Sequence, residues 1–379
     1  MQEKLSPPKF DELEVSIFGP GFGESIAIHV GSGTWIVIDS CIDSITQRPA
    51  PLAYLESLSV DPKEAIELVV ATHWHADHVR GLHDLYSAAA SAKFCCSVAL
   101  TSKEFISLAK LYSAEPGHIP LGPEELYRCL ETAKKRTNET GSTQLRWAMN
   151  DRLLWQAELE NTAPATYAKL TALSPSDPMV SRFLQGMVNS LTVAKKGFSE
   201  GRLVAGTPND VAVALLLEIH GRKILLGSDL EEEGNASFGW SAVMRSVTAQ
   251  FARCCTFKVA HHGSATARFD PVWGKLLETQ PLALLTPFRH GSHQIPDPDE
   301  RAYILGKTGR AYITANPKKN ANPEKRLPKI QTLMKATVKN LRRAASPVGH
   351  IRWRAPINSP GDLGTIELYD GAIPLAEVV

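Results

Sequence analysis

Short apolar runs separated by polar turns occur in two parts of the chain, and each run predicts a buried strand. In the first ninety residues the runs lie in LEVSIFGPGFGESIAIHV, TWIVIDSCID and AIELVVAT. After about residue 210 they lie in DVAVALLLEIH, GRKILLGSDL, FKVAHHGS and LALLTPF. GHIRWRA and GTIELYDGAIPL, near the C-terminus, are predicted to be closing strands. The two strand-rich parts therefore predict an α/β protein.

The stretch between them, about 101–200, has a different pattern. Apolar residues recur there every three or four positions, which predicts helices. The helical segments are SKEFISLAKLYSA, PEELYRCLETAKKR, TQLRWAMNDRLLWQAELE and MVSRFLQGMVNSLTVAKKGF, with one strand, YAKLTALSP, before the last. We therefore expect a helical insertion of about 101–200 within a single domain of residues 1–379.

The composition is that of an ordinary globular chain, since hydrophobic residues make up 43% of it. No apolar run reaches about 18 residues, and MQEKLSPPKFDELE is too charged for a signal peptide. The six cysteines form no CxxC pair, and the vicinal pairs lie in apolar stretches. These features predict a reduced, cytoplasmic protein without a membrane partner.

Positive charge is concentrated near the C-terminus. Between positions 316 and 343, nine Lys or Arg residues stand against Glu324 alone, which gives this basic segment a net charge of +8. The whole chain carries +1, so the remainder carries −7. A basic segment on an acidic body is typical of a surface that follows phosphates. The alternative is a solvated helix face, and the sequence leaves both interpretations open.

The most informative stretch is ATHWHADHVRGL, which places His73, His75, Asp77 and His78 between a predicted strand and a predicted helix. In an extended segment, residues two apart point the same way, so His73 and His75 can share one ion. A turn can converge all four side chains, most naturally as two pairs, with Asp77 and His78 on a second ion. Imidazole and carboxylate ligands suit zinc, and less selectively manganese or iron.

Two other predicted strands end in a carboxylate. Asp229 follows GRKILLGS and is expected to bridge two cations, while the three glutamates after it are expected to face solvent. Asp39 ends the IVIDS strand. It can belong to the metal site or can simply cap the turn that follows the strand.

A third strand end carries two adjacent histidines, His261 and His262, in AHHGS. In an open turn usually only one of them can bind metal, and the other can donate to substrate or support a ligand. The Ser264 hydroxyl suits a phosphate oxygen. His290 and His293 lie in a later loop that could close over the site. The remaining histidines are expected to be structural or surface residues: His29, His83, His118, His220 and His350.

THWHADH, GSDL and AHHGS follow an IVIDS strand in an order that resembles the metallo-β-lactamase fold superfamily. With GFGES before IVIDS, the pattern is most similar to the hydrolase domain of ComEC, the competence DNA-uptake protein. The resemblance covers about 1–90 and 203–300. It implies a four-layer αββα sandwich with its metal site at the sheet edges. The candidate metal ligands are His73, His75, Asp77, His78, Asp229, His262 and His261.

Two positions depart from that pattern. Dinuclear members usually have another histidine ligand before the bridging aspartate, where this chain has Thr207, Asn209 or Asp210. ComEC-like domains tend to have asparagine there, so the change supports the subgroup. The subgroup's late Gly-His-Pro is replaced by QIP at 294–296.

The leading functional hypothesis is a metal-dependent phosphodiesterase acting on nucleic acid, with two divalent ions. Two cations can acidify water and hold both the attacking and the leaving oxygen. Asp77 would steer the resulting hydroxide, Asp229 would bridge the ions, and His261 or Ser264 would neutralise phosphate charge. One alternative is amide, ester or lactone hydrolysis. The other is a non-catalytic metal-binding subunit whose helical insertion binds a protein partner.

Overall fold

Two β-sheets form the centre of the fold, each with eight strands in the part of the chain described here. The computed structural model describes residues 5–19, 23–113, 122–159, 166–195, 208–290, 293–317 and 348–378. The strands are β1 (Glu12–Gly19), β2 (Ser25–Val30), β3 (Trp35–Ile38), β4 (Ile66–Ala71), β5 (Lys93–Ser97), β6 (Leu145–Ala148), β7 (Arg152–Leu159), β8 (Thr166–Ala172), β9 (Leu215–Ile219), β10 (Arg222–Leu226), β11 (Cys254–Lys258), β12 (Leu277–Leu285), β13 (Phe288–His290), β14 (His293–Ile295), β15 (Ala311–Ile313), β16 (Gly349–Pro356), β17 (Thr365–Tyr369) and β18 (Ile373–Pro374). The helices are α1 (Ala50–Ser57), α2 (Pro62–Ala65), α3 (Ala76–Val79), α4 (Leu82–Ala88), α5 (Lys103–Ser113), α6 (Gly122–Thr140), α7 (Asp177–Lys195), α8 (Gly239–Val243) and α9 (Pro298–Lys307).

Each sheet combines an antiparallel half with a parallel half. The first has the order β17-β16-β1-β2-β3-β4-β5-β6, and the second has the order β18-β15-β12-β11-β10-β9-β8-β7. The strands from β3 to β6 are parallel in the first sheet. The strands β10, β11, β12 and β15 are parallel in the second. β13 and β14 form a separate antiparallel ribbon.

The two sheets pack face to face across a shared apolar core. Ile28 and Val70 from the first sheet meet residues such as Leu217 and Leu284 from the second. In each strand, alternate residues point into this core and the others point outward. Burial on both faces explains why the strands are continuous apolar runs in the sequence.

Helices cover the outer face of each sheet. Leu85, Phe105 and Phe183, from α4, α5 and α7, belong to the core on the outside of the first sheet. Trp240 and Ile304, from α8 and α9, belong to the core on the outside of the second. The order helix, sheet, sheet, helix confirms the predicted αββα sandwich.

The prediction of a helix over residues 143–160 is wrong, because this stretch forms β6 and β7. Its Leu, Ala, Gln and Glu residues favour helices intrinsically. In the folded chain β6 pairs with β5 and β7 pairs with β8, one at the edge of each sheet. Leu154 and Leu159 fill the core between the sheets. The burial of these side chains outweighs local helix propensity.

The block of about 101–200 is therefore helical only in part. It contributes α5, α6 and α7 to one helical layer and β6, β7 and β8 to the sheets. Its description as an insertion stays an interpretation. Of the basic segment 316–343, residues 318–343 lie outside the described residues. No helix within the described ranges is long and apolar enough to cross a membrane.

His350 is a buried histidine within β16. Its ring stacks on Phe18 and Tyr369, with ring centroids 4.5 and 5.2 Å away. Its Nε2 lies 3.0 Å from the Ser16 hydroxyl. Burial, followed by the charge of Arg352, lowers the pKa of His350 to about 3. The folded protein therefore keeps this ring neutral, in agreement with the structural role expected from the sequence.

We expect His350 to lower the free energy of unfolding as the pH decreases. The unfolded chain binds a proton at His350 below its ordinary pKa of 6.5, whereas the folded chain binds it only near 3. The contribution is complete above the unfolded pKa and is lost as the pH falls toward the folded pKa. His350→Phe keeps an aromatic ring and cannot be protonated. Between about pH 7.5 and about pH 5, urea unfolding should show the wild type losing about 2 kcal/mol more than this variant. Equal losses would contradict the assignment.

Candidate metal centre

The side chains predicted to form the site converge at one edge of the two sheets. β3 and β4 are parallel neighbours in the first sheet, and β10 and β11 are parallel neighbours in the second. The carboxyl ends of parallel strands meet at the same sheet edge, which is where α/β proteins bind ligands. Asp39 follows β3, His73 follows β4, Asp229 follows β10 and His262 follows β11.

Four buried side chains, Asp77, His78, Asp229 and His262, form what we call the inner group. The His78 Nε2 atom lies 3.4 Å from Asp229 Oδ1 and 3.7 Å from Asp77 Oδ2. The His262 Nε2 atom lies 3.4 Å from Asp77 Oδ2 and 3.6 Å from Asp229 Oδ2. One cation could contact an atom from each of the four.

Three side chains, His73, His75 and Asp229, form the outer group. The His73 Nε2 atom lies 3.2 Å from His75 Nδ1 and 3.8 Å from Asp229 Oδ2. Asp229 therefore belongs to both groups. The two groups contain the same pairs that the turn geometry predicted, and the metal-binding roles themselves stay predictions.

Orphaned polar atoms show that the inner group fits a divalent metal. Within the described part of the chain, His78 Nε2, His262 Nε2 and Asp229 Oδ1 are buried without a hydrogen-bond partner. A buried polar atom left without a partner costs about 1–3 kcal/mol, so three neighbouring ones are unfavourable unless a ligand satisfies them. Two imidazole nitrogens and a carboxylate oxygen are ligands that zinc, manganese and iron accept.

The charges within the cluster depend on one another. Burial alone would raise the pKa of Asp77 and of Asp229, but the charges of neighbouring imidazoles, His78 foremost, hold both below their usual value. Burial alone would lower the pKa of His78, but the Asp229 and Asp77 carboxylates raise it well above its usual value. Since a metal ligand must be unprotonated at the binding atom, a cation would take the place of that proton.

Asp39 supports the cluster from behind. Its carboxylate accepts hydrogen bonds from the Thr72 backbone N–H and hydroxyl, both at 2.7 Å. The same carboxylate lies 2.8 Å from His78 Nδ1. The Thr72 hydroxyl in turn lies 3.0 Å from His73 Nδ1. Of the two roles left open by the sequence, the structure shows the one that supports the site.

A left-handed turn separates the two adjacent histidines. His261, His262 and Gly263 have φ values of 47°, 54° and 82°. The first two are uncommon for residues with a side chain, and such strain is typical of functional sites. The His261 N–H donates to the Ser228 carbonyl at 2.8 Å, which holds the turn against the end of β10. His262 therefore enters the inner group, while His261 points to its edge.

His261 is held by Glu231, which was expected from the sequence to face solvent. That expectation is wrong, because Glu231 is half-buried and its Oε1 lies 3.0 Å from His261 Nδ1. Asn209 donates from its side chain to the same oxygen at 3.0 Å. The His261 Nε2 atom faces Asp229 Oδ2 at 3.9 Å. Ser264 contacts Thr266, whose hydroxyl also lies 3.0 Å from His261 Nδ1.

The region that lacks the expected additional histidine is thus occupied by other polar residues. Thr207 lies outside the described residues. Asn209 is buried and contacts Glu231. Asp210 pairs with Arg182 of α7 at 3.4 Å. Asn209 therefore supports His261 through a carboxylate.

The late loop contributes an aromatic residue that sequence reasoning missed. His290 and His293 are paired in register in the ribbon of β13 and β14, and a contact with substrate or metal stays a prediction. Phe288, at the start of this ribbon, stacks on His262 with ring centroids 5.4 Å apart. Phe288 lies two residues before His290 in the sequence, and this nearness to a candidate site residue was the signal that could have placed it at the site.

Comparison with known proteins identifies the family. A model of the metallo-β-lactamase superfamily matches residues 18–294, which is more than half of the chain. The chain belongs to the metallo-β-lactamase superfamily. Its His/Asp cluster is able to hold divalent metal, which this superfamily of hydrolases typically binds.

Solved structures with the metallo-β-lactamase fold are similar at low identity. MEM-A1, a subclass B3 metallo-β-lactamase from a soil metagenome library, is 14% identical over 69% of this chain and 82% of its own, with a TM-score of 0.34. The metallo-β-lactamase fold protein YhfI from Bacillus subtilis is 12% identical over 80% of this chain and 95% of its own, with a TM-score of 0.37. The comparison with curated proteins gave no match.

We expect the purified protein to bind zinc, and Asp229→Asn to weaken that binding at least about tenfold. The substitution keeps the size of the side chain and removes the charge that both groups share. Equilibrium dialysis against Zn²⁺ with elemental analysis measures the effect. His83→Ala is the control, because His83 contacts Thr132 on a helix instead of the cluster. Less than about half an equivalent of metal in the reconstituted wild type would refute the metal centre.

Proposed function

We propose that this protein is a metal-dependent phosphodiesterase that cleaves nucleic acid. The observation that carries the proposal is the sharing of the Asp229 carboxylate between two groups of potential metal ligands. A shared carboxylate suits a pair of cations, and paired cations favour reactions in which two oxygens carry developing charge. Membership in the superfamily supports metal-dependent hydrolysis in general.

Divalent cations, with zinc preferred over manganese or iron, would supply Lewis-acid chemistry that acidifies water and stabilises charge on oxygen. The residues of the inner group would hold one cation, and those of the outer group would hold the other. Asp77 would also orient the attacking water through its carboxylate. Asp39 keeps the His78 ring oriented so that its Nε2 remains directed at Asp229.

His261 supports an anionic substrate over a neutral one. Its side chain is 19% exposed at the edge of the cluster, and the Glu231 carboxylate holds its Nδ1. Burial alone would lower the pKa of His261, but the Glu231 and Asp229 carboxylates raise it, and the protonated ring can donate from Nε2 to a phosphate oxygen. Ser264 is linked to His261 through Thr266 and would supply a second donor.

Nucleic acid is favoured by two features of the sequence. GFGES, IVIDS, GSDL and AHHGS resemble the ComEC hydrolase domain, and that finer resemblance is part of this proposal. The basic segment 316–343 would supply positive charge for a phosphate backbone. A protein partner that binds the block of about 101–200 is also part of this proposal.

Asp77→Ala should reduce hydrolysis at least about a hundredfold, because it removes both a potential ligand and the group that orients water. The fold should persist, since the backbone carbonyl of Asp77, which accepts from the Glu24 N–H at 2.8 Å, is unchanged. Reconstituted enzyme is assayed on single-stranded DNA, duplex DNA, RNA, a generic phosphodiester, and small amide, ester and lactone substrates. Asp84→Ala, an exposed aspartate on the following helix, is the matched control.

The pattern of substrates decides between the hypotheses. Cleavage of nucleic acid that is lost in Asp77→Ala and kept in Asp84→Ala supports the proposal. Turnover confined to amides, esters or lactones would favour the second enzymatic hypothesis. Metal binding without turnover of any substrate would favour a non-catalytic subunit. Wild-type rates in Asp77→Ala would show that another residue orients the water.

Neutralising Lys325, Arg326 and Lys329 together should weaken nucleic-acid binding if the basic segment follows a phosphate backbone. Each lost contact should flatten the logarithmic salt dependence by about 0.7 for a single strand or about 0.9 for B-DNA. Fluorescence titration at several salt concentrations measures the slope. Cleavage of a small phosphodiester should be unchanged and serves as the control. An unaltered slope would mean that the segment is a solvated surface.

A further inference from the structure

A buried ion pair lies directly behind the inner group. The Lys258 Nζ atom is 2.6 Å from Glu24 Oε1, and the two side chains are 0% and 2% exposed. Lys258 ends β11, four positions before His262, and Glu24 immediately precedes β2 in the other sheet. Desolvating two charges costs about as much as their attraction returns, so such a pair is weak support for stability alone. Its position next to a candidate metal ligand suggests another role.

Thr286 connects this ion pair to His262. The Thr286 hydroxyl donates a short hydrogen bond to Glu24 Oε2. The same hydroxyl lies 3.0 Å from His262 Nδ1, and the Thr286 carbonyl lies 3.2 Å from that nitrogen. Both oxygens can accept a hydrogen bond from an Nδ1–H group. This tautomer leaves the lone pair on Nε2, the buried atom that faces Asp77 and Asp229.

The first sheet contains the same arrangement. Asp39 accepts from the Thr72 hydroxyl, which contacts His73 Nδ1. At both histidines a buried carboxylate from the first sheet therefore acts through a threonine hydroxyl: Asp39 on His73 through Thr72, and Glu24 on His262 through Thr286 of the second sheet. Carboxylates that orient metal-binding histidines typically change metal affinity by about 10–100-fold when they are removed.

We propose that Glu24, held by Lys258, is a positioning residue that fixes His262 through Thr286 and so sets the affinity of the inner group for a divalent cation. The inference rests on the metal-dependent function proposed above. Lys258 also compensates the Glu24 charge close to Asp77 and Asp229. The relay, by which we mean Lys258, Glu24 and Thr286, therefore adds no net negative charge to the cluster.

The test is Zn²⁺ affinity, measured by competition with a chromophoric chelator at fixed pH. His262→Ala first identifies which binding step belongs to the inner group. Glu24→Gln combined with Lys258→Met removes the ion pair and leaves no uncompensated buried charge, which protects folding. This double variant and Thr286→Val should each weaken the inner step by about 10–100-fold. Thr286→Ser keeps the hydroxyl and should bind within about threefold of the wild type.

Glu14→Gln is the matched control. Glu14 is also a buried glutamate paired with a cation, Arg354, at 2.7 Å, and it also accepts hydroxyl hydrogen bonds, from Ser16 and Tyr54. It should leave Zn²⁺ affinity unchanged. The absorption bands of the Co²⁺-loaded protein should change in Thr286→Val and stay the same in Glu14→Gln, because only the former alters His262.

The outcomes separate this inference from the proposed function. If the wild type binds no metal, the proposed function and the positioning role of Glu24 are both wrong. If the wild type binds Zn²⁺ and the double variant and Thr286→Val bind it equally tightly, only the positioning role falls. Equal weakening in Glu14→Gln would attribute the effect to general destabilisation and would also overturn it. Weakening in the relay variants, with affinity retained in Thr286→Ser and Glu14→Gln, supports it.

Discussion

The burial of four carboxylates at one sheet edge is the constraint on which the site depends. Glu24, Asp39, Asp77 and Asp229 are each at least nine-tenths buried. Charges in such a place require partners, because desolvation is unfavourable for each of them. Lys258, the Thr72 donors and the imidazoles supply those partners. The atoms that remain unpaired face one another, as expected of a place built for a cation.

Several turns at the same edge have strained backbone conformations. Asp39, Ser228, His261 and His262 all have positive φ, between 47° and 59°, and each follows a strand that leads to the cluster. Such conformations cost about 1–3 kcal/mol each and persist where packing fixes the chain on both sides. Here the core between the sheets holds the strands in place. The turns can therefore direct consecutive side chains, such as His261 and His262, to different partners.

The block of about 101–200 is connected to both the fold and the site. β6 extends the first sheet and β7 extends the second, so this part of the chain joins the two sheets. Arg182, on α7, pairs with Asp210 at 3.4 Å and with Glu233 at 2.5 Å. Asp210 directly follows Asn209, and Glu233 lies two positions after Glu231. Asn209 and Glu231 are the residues that support His261.

The sequence alone determined the apolar strands and the local arrangement of His73, His75, Asp77 and His78, because burial periodicity and a short turn are local properties. The three-and-four spacing of apolar residues misassigned 143–160 as helix, since sheet pairing and burial of Leu154 decided its conformation. The supporting pairs were decided only by the tertiary structure. Thr286 and Glu24, for example, are 262 positions apart. No local pattern reports such a contact, because it depends on how the two sheets meet across their shared core.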